Sequence, residues 1–150
     1  EKFKLKPLPE YNGLPEEEDS EYPLILISAK SRYYLLSSYR WVARLREKRP
    51  HPLAEIHPDT AAAYGISDGD SVVIETKYGA VSQVAKVTDI VHPQVVSAAL
   101  GWWFPEGDAA RQFDWQESNF NMLTSIAKLG KEFGTPNIKN LPCRIRRKDA

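Results

Sequence analysis

The chain has 150 residues, with 20 basic side chains balanced by 20 acidic ones, so no bulk charge draws it to nucleic acid or an anionic membrane. An apolar content of 42% suits one domain with a sizeable core. The single cysteine, Cys143, rules out an internal disulfide and any cysteine-based zinc or iron–sulfur site built from this chain alone.

No apolar run approaches the roughly 20 residues that span a bilayer, and no signal-peptide pattern is present. The chain begins on Glu1 rather than Met, which leads us to expect part of a longer polypeptide. Residues 1–21 hold seven acidic and three basic side chains, with Pro7, Pro9 and Pro15 and no periodicity. They read as a linker or wrapping arm. Tyr22 to Ile27 is a short apolar run suited to a strand buried on both faces. Ser28, Ala29, Lys30 and Ser31 follow as a small polar loop. Residues 38–48 have room for one or two helical turns carrying Tyr39, Val42 and Leu45, ended before Pro50, and Leu53 to Ile56 reads as a brief strand.

Residues 57–96 form the most regular stretch. Pro58 suits the first helical position, where a missing N–H costs nothing, and Asp59 puts negative charge in the first turn. Ala61, Ala62 and Ala63 propagate the helix, and Gly65 stops it. Asp68, Gly69 and Asp70 turn the chain into a strand at Val72, Val73 and Ile74, and Tyr78-Gly79 turns it back into another through Val81, Val84, Ala85 and Val87. Val95 to Leu100 is a further strand. Residues 105–121 are polar and irregular and read as a long loop of functional or mobile character. Asn121 is expected to cap a short helix through Met122, Leu123, Ile126 and Leu129. Gly134 to Asn137 is a turn. Leu141, Cys143 and Ile145 alternate with arginines in a final strand. No internal repeat is evident. About six short strands with scattered helical turns make the class mainly β, a closed barrel.

The chain shows no self-contained catalytic centre. His51, His57 and His92 each precede proline, and none has a metal-ligand partner at helical spacing. His57 fits a helix N-terminus better than catalysis. No nucleophile–base set, GxGxxG or Walker loop is present. Asp68 and Asp70 fit turn chemistry. In residues 30–49, seven Lys or Arg face a single Glu47, with Tyr33, Tyr34, Tyr39 and Trp41 interleaved. Basic side chains with stacking partners can hold nucleotides or phosphates. A solvated helix face whose aromatics belong to the core explains the same pattern, and composition favours that reading. In Trp102-Trp103-Phe104, alternation along a strand forbids all three rings from entering one core, so at least one faces a loop, ligand or partner.

Five segments, in order and spacing, resemble the C-terminal domain of molybdopterin oxidoreductases related to dimethyl sulfoxide reductase and formate dehydrogenase. They are YPLILISAKSRYYLLSS, EIHPDTAAAYGISDGDSVVIETKYGAVSQVAKVTDIVHPQVV, GWW, NFNMLTS and GTPNIKNLPCRIRR. The resemblance covers most of residues 22–150. It implies a six-stranded double-psi β-barrel, of the aspartate decarboxylase-like type, with short helices. It also implies binding of bis-molybdopterin guanine dinucleotide, with Mo or W held by the parent protein and no metal ligand in this chain.

On that resemblance the domain closes the active site at the end of a larger catalytic chain and is not expected to be catalytic alone. Its partners would be the preceding catalytic domains and an iron–sulfur electron-transfer subunit, with no nucleic acid and no direct membrane contact. Position by position, the family's Thr-Gly-Arg loop is Ser28-Ala29-Lys30 here, followed by Ser31. It keeps a hydroxyl and a cation without the bidentate fork of arginine. Tyr34 and Leu36 stand where some members have histidine, and Ser37 matches a small hydroxyl position. Trp102 and Trp103 match an aromatic pair seen in some formate dehydrogenase-like members, and we expect them near the cofactor channel. Asn121 matches the Asn of Asn-x-Leu-Thr, Thr135 sits in the terminal turn, and of the Glu-Tyr-Lys that follows only Lys139 remains. The alternatives are a double-psi barrel used as a protein-interaction module and a stand-alone cofactor-binding subunit.

Overall fold

The computed structural model describes Leu8 and residues 20–127, 129–130 and 134–149, so nearly all of the expected arm over 1–21 lies outside the described residues. Six strands close into a barrel: β1 Leu24–Ala29, β2 Leu53–Ile56, β3 Ser71–Thr76, β4 Gly79–Val87, β5 Val95–Ala99 and β6 Lys139–Arg147. Their order around the barrel is β1-β5-β2-β4-β3-β6. Two neighbouring pairs are parallel, β1 with β5 and β2 with β4, and the others are antiparallel. Parallel neighbours require crossover connections, and two interleaved crossovers in a closed six-stranded sheet make the double-psi barrel. Closure gives every one of these strands a partner on both sides.

The core is the inner face of that sheet. Leu26, Ile56, Val72, Ile74, Val96, Ala98 and Cys143 are wholly buried there. In β6, Leu141, Cys143 and Ile145 point inward while Arg144 and Arg146 point out, as the alternation predicts. In β1, only Leu24, Leu26 and Ser28 are buried, whereas Ile25, Ile27 and Ala29 are half-buried. The expected burial on both faces is corrected to one, because a closed barrel has a single inside.

Two short helices, α1 Ala43–Lys48 and α2 Pro58–Ala63, decorate the barrel. His57 caps α2: its Nδ1 accepts the Asp59 backbone N–H at 3.2 Å. Gly65 ends the helix at φ +62°, the left-handed region that glycine enters without strain. At the turn into β3, Asp68 Oδ1 accepts the Val87 N–H at 2.8 Å and the Asp70 carboxylate accepts the Ser67 N–H at 2.8 Å. The Val87 N–H, with Lys86 beside it, holds the Asp68 carboxyl below the usual carboxylate range.

The expected helix from Asn121 to Leu129 does not form. A single 3-10 turn spans Phe120–Leu123, and its cap is Asn119, whose Oδ1 accepts the Asn121 N–H at 3.1 Å. Phe120 and Leu123, three residues apart, both sink into the core, which suits a 3-10 turn. Ile126 and Leu129 then lie exposed. The loop before it is folded into short 3-10 turns over Ala109–Glu117, broken at Gln112, Phe113 and Asp114 by positive φ.

Candidate functional site

Strand direction gathers the predicted loops at one end of the barrel. Because β1 and β5 run parallel, their carboxyl ends emerge side by side, and the Leu100 N–H donates to the Ala29 carbonyl at 2.9 Å. β2 is antiparallel to β5 and so enters at the same end. β6 begins there as well, with Lys139 opposite Ile27. Lys139 Nζ donates to the Ser28 carbonyl, tying the start of β6 to the end of β1.

A small cleft of about 40 Å³ opens between these ends, lined by Ala29, Lys30, Ser31, Arg49, His51, Leu53, Glu55, Ala99 and Trp102. Four of the sequence-predicted residues therefore converge on it: Ala29, Lys30, Ser31 and Trp102. Lys30 stands exposed at its rim, and the Ser31 hydroxyl accepts the Tyr33 N–H at 3.2 Å. Ser28 sits just inside the barrel, buried. Asn121 and Thr135 are exposed on their own turns and do not line the cleft. The buried amide nearby belongs to Asn119, whose Nδ2 donates to the Trp102 carbonyl at 3.0 Å.

Behind the cleft lies a group that sequence reasoning placed only in a charged run. Arg40 is 1% exposed. Its guanidinium carbon stands 4.0 Å from the ring centroids of both Tyr34 and Trp102, and those rings meet edge to face. Its Nη2 lies within hydrogen-bond distance of the carbonyls of Leu36, Leu100 and Gly101. Arg40 thus clamps the loop after β1 to the loop after β5. Gly101 makes that approach possible: at φ +69°, a Cβ there would lie 3.1 Å from the backbone of Leu36 and Ser37. Burial lowers the Arg40 pKa to about 10, so it remains a cation at neutral pH. The sequence signal for it was the Tyr-rich basic stretch itself, whose bland reading is corrected here: one of its arginines is a core residue.

Tyr34 is also buried, and its hydroxyl donates to the Arg49 carbonyl at 2.8 Å. Of the aromatic pair, Trp102 is fully buried while Trp103 faces outward. Trp103 Nε1 donates to the Ser37 carbonyl at 2.6 Å. Its ring continues a surface row, 5.9 Å from Trp41 and 5.5 Å from Phe113, with Tyr39 beyond Trp41 at 6.1 Å.

Two lining residues, Trp102 and Arg49, and the arginines packed behind them hold donors that an acceptor-rich ligand could meet. Among the described residues, Trp102 Nε1, Arg49 Nε, Arg46 Nη1 and two nitrogens of Arg40 are buried donors without a hydrogen-bond partner. Buried N–H groups normally have one. Carbonyl, phosphate and heterocyclic acceptors fit such a set, and a pterin dinucleotide carries all three. Among the described residues, no cluster of three His, Cys, Asp or Glu is placed to hold a metal, and no helix is long and apolar enough to cross a membrane.

The sequence model of the molydopterin dinucleotide binding domain matches residues 24–142. The dopamine dehydroxylase of Eggerthella lenta is 35% identical over 134 residues, covering 87% of this chain and 13% of that protein. The periplasmic nitrate reductase of Desulfovibrio desulfuricans is 34% identical over 87 residues, covering 57% of this chain and 12% of that one. Acetylene hydratase from Pelobacter acetylenicus superposes with a TM-score of 0.87 at 28% identity, covering 97% of this chain and 22% of that one. The chain therefore spans only about an eighth of the length of these two curated relatives. With its closed six-stranded barrel and a match over nearly its whole described length, the chain belongs to the molydopterin dinucleotide binding domain family.

Proposed function

We propose that this chain is the C-terminal domain of a molybdenum or tungsten oxidoreductase, holding part of a bis-molybdopterin guanine dinucleotide cofactor and closing the active site over it. The observation that carries this reading is the convergence of Ala29, Lys30, Ser31 and Trp102 on one cleft, where Trp102 and Arg49 each hold a partnerless donor, in a chain whose family is defined by dinucleotide binding. When bound, the cofactor supplies the redox chemistry. This chain's residues bind and orient it. Ala29 and Ser31 are small enough to let backbone approach closely, and Lys30 brings a cation to the rim. Trp102, buried behind them, excludes water. Ser28 and Lys139 hold the two strand ends together beneath the loop. Tyr34, Ser37 and Trp103 shape the loops above it, and Asn121 and Thr135 extend the surface on the neighbouring turns. The row Tyr39, Trp41, Trp103 and Phe113 is the face on which we place the preceding catalytic domains, and beyond them an iron–sulfur subunit.

The test is chemical analysis of the full-length protein that carries this chain. Pterin, guanosine monophosphate and Mo or W are expected together, in the proportion of two dinucleotides per metal atom. Purified protein with metal but no guanine nucleotide would overturn the reading.

A further inference from the structure

The outer face of the β3–β4 hairpin carries a groove of about 230 Å³, lined by Val73, Ala80, Val81, Ser82, Glu117 and Lys148. Val72 and Ile74 fill the barrel, so Val73 between them turns outward, directly opposite Ser82. An outward strand position is ordinarily polar, and here a valine makes the floor. Of the two charged walls, Glu117 is occupied by Arg111 at 2.7 Å. Lys148 is in no ion pair among the described residues, and neither is Arg146, which lies opposite Val73 across β3 and β6. Arg147 between them leans on Asp70 at 4.0 Å.

The polypeptide leading into β1 passes this groove. β1 and β6 are antiparallel, with Leu24 opposite Cys143, so residues upstream of Leu24 run toward the end of β6. Glu21 accepts from Arg144 Nη1 at 3.0 Å, and the Arg144 guanidinium stands 5.3 Å from the Tyr22 ring. Arg144 Nη2 donates onward to Glu75 at 2.6 Å. Glu75 and Val73 share the outer face of β3, about 7 Å apart. Upstream of Glu21 the sequence reads Leu14-Pro15-Glu16-Glu17-Glu18-Asp19-Ser20. It brings four acids to a surface with two unpaired cations, and Leu14 brings an aliphatic side chain. Seven residues span up to about 23 Å, enough to carry Leu14 from Arg144 to the groove.

We propose that residues 14–19, which lie outside the described residues, strap the barrel. Leu14 fills the groove over Val73, Pro15 keeps the approach extended, and the acidic run neutralises Arg146 and Lys148. The occupant is this chain's own arm rather than another domain, because the tether is short, the charges are complementary, and the strap continues a contact that Glu21 already makes. It fixes where the preceding polypeptide meets the barrel, and it goes beyond the cofactor reading without depending on it.

The test uses the full-length protein that carries this chain. Ala80→Cys, at the exposed rim of the groove, takes a maleimide-linked benzophenone, and the photo-crosslinked peptide is mapped by mass spectrometry. A crosslink into residues 10–20 is expected. A crosslink to polypeptide upstream of Glu1, to a second copy, or to no peptide overturns the strap. Glutamyl endopeptidase gives a second readout, since Glu16, Glu17 and Glu18 are its sites within the strap. Leu14→Asp, which withdraws a buried leucine, is expected to speed cleavage there about tenfold or more. Arg146→Glu with Lys148→Glu turns two exposed attractions into repulsions and is expected to speed it about three- to tenfold. Equal cleavage in wild type and both variants overturns the strap as well. A protein that lacks pterin yet gives the crosslink overturns the cofactor reading and leaves the strap standing.

Discussion

Arg40 is the position where opposing effects are both large, so its replacement tests the physical account most directly. Burial, net of the opposing Tyr34 interaction, costs the charged form about 3 kcal/mol, the equivalent of the fall of its pKa to about 10. Against this stand two cation–π contacts at 4.0 Å, worth about 1–2 kcal/mol each when desolvated. Bonds from Nη2 to loop carbonyls add about 1.5–3 kcal/mol as a charged donor. The contacts win by a small margin. Arg40→Met, which fills much of the same space, removes both sides of this balance and is expected to cost about 2 kcal/mol. Arg40→Ala leaves a cavity behind Trp102 as well and is expected to cost about 3 kcal/mol more. Urea unfolding of the 150-residue chain at pH 7, followed by tryptophan fluorescence, measures both. Equal losses in the two variants would refute the balance, because volume would then be irrelevant. A loss below about 0.5 kcal/mol in Arg40→Met would refute the clamp between the two loops.

Two further perturbations probe the barrel. A Cβ on Gly79 would lie 2.5 Å from the Met122 carbonyl oxygen, a backbone atom that yields only if the 3-10 turn moves. Gly79→Ala is therefore expected to lose about 1–3 kcal/mol in the same unfolding assay, and a neutral result would show that the turn is not packed on the β3–β4 hairpin. Burial pushes the Cys143 thiol from 9.0 up to about 12. Between those values the unfolded chain releases a proton that the folded chain keeps, so stability falls as pH rises from about 9 and is lowered by at most about 4 kcal/mol near 12. Cys143→Ala should lack that slope, and native Cys143 should resist thiol labelling at pH 8 until the chain unfolds; rapid native labelling would contradict its burial.

Features governed by neighbours a few residues away could be read from the amino-acid sequence. The His57-Pro58 helix start, the Gly65 stop, the Asp68–Asp70 turn and the alternation of Leu141, Cys143 and Ile145 all depend on local backbone preference and side-chain period, and each is in place. Family membership was legible for the same reason, since it rests on short motifs in fixed order. What only the tertiary structure decided is which members of each local group turn inward. Arg40 is buried while the rest of its basic run is not, because two loops some sixty residues apart meet over it where β1 and β5 run parallel. Trp102 enters and Trp103 stays out for the same reason, and Asn119 rather than Asn121 becomes the cap because its amide reaches the Trp102 carbonyl. Arg49, which lines the same cleft as Trp102, gains its setting from that junction too. Sequence alone sets what each segment can form; the register of distant strands sets which side chains share a site, and no local preference encodes that register.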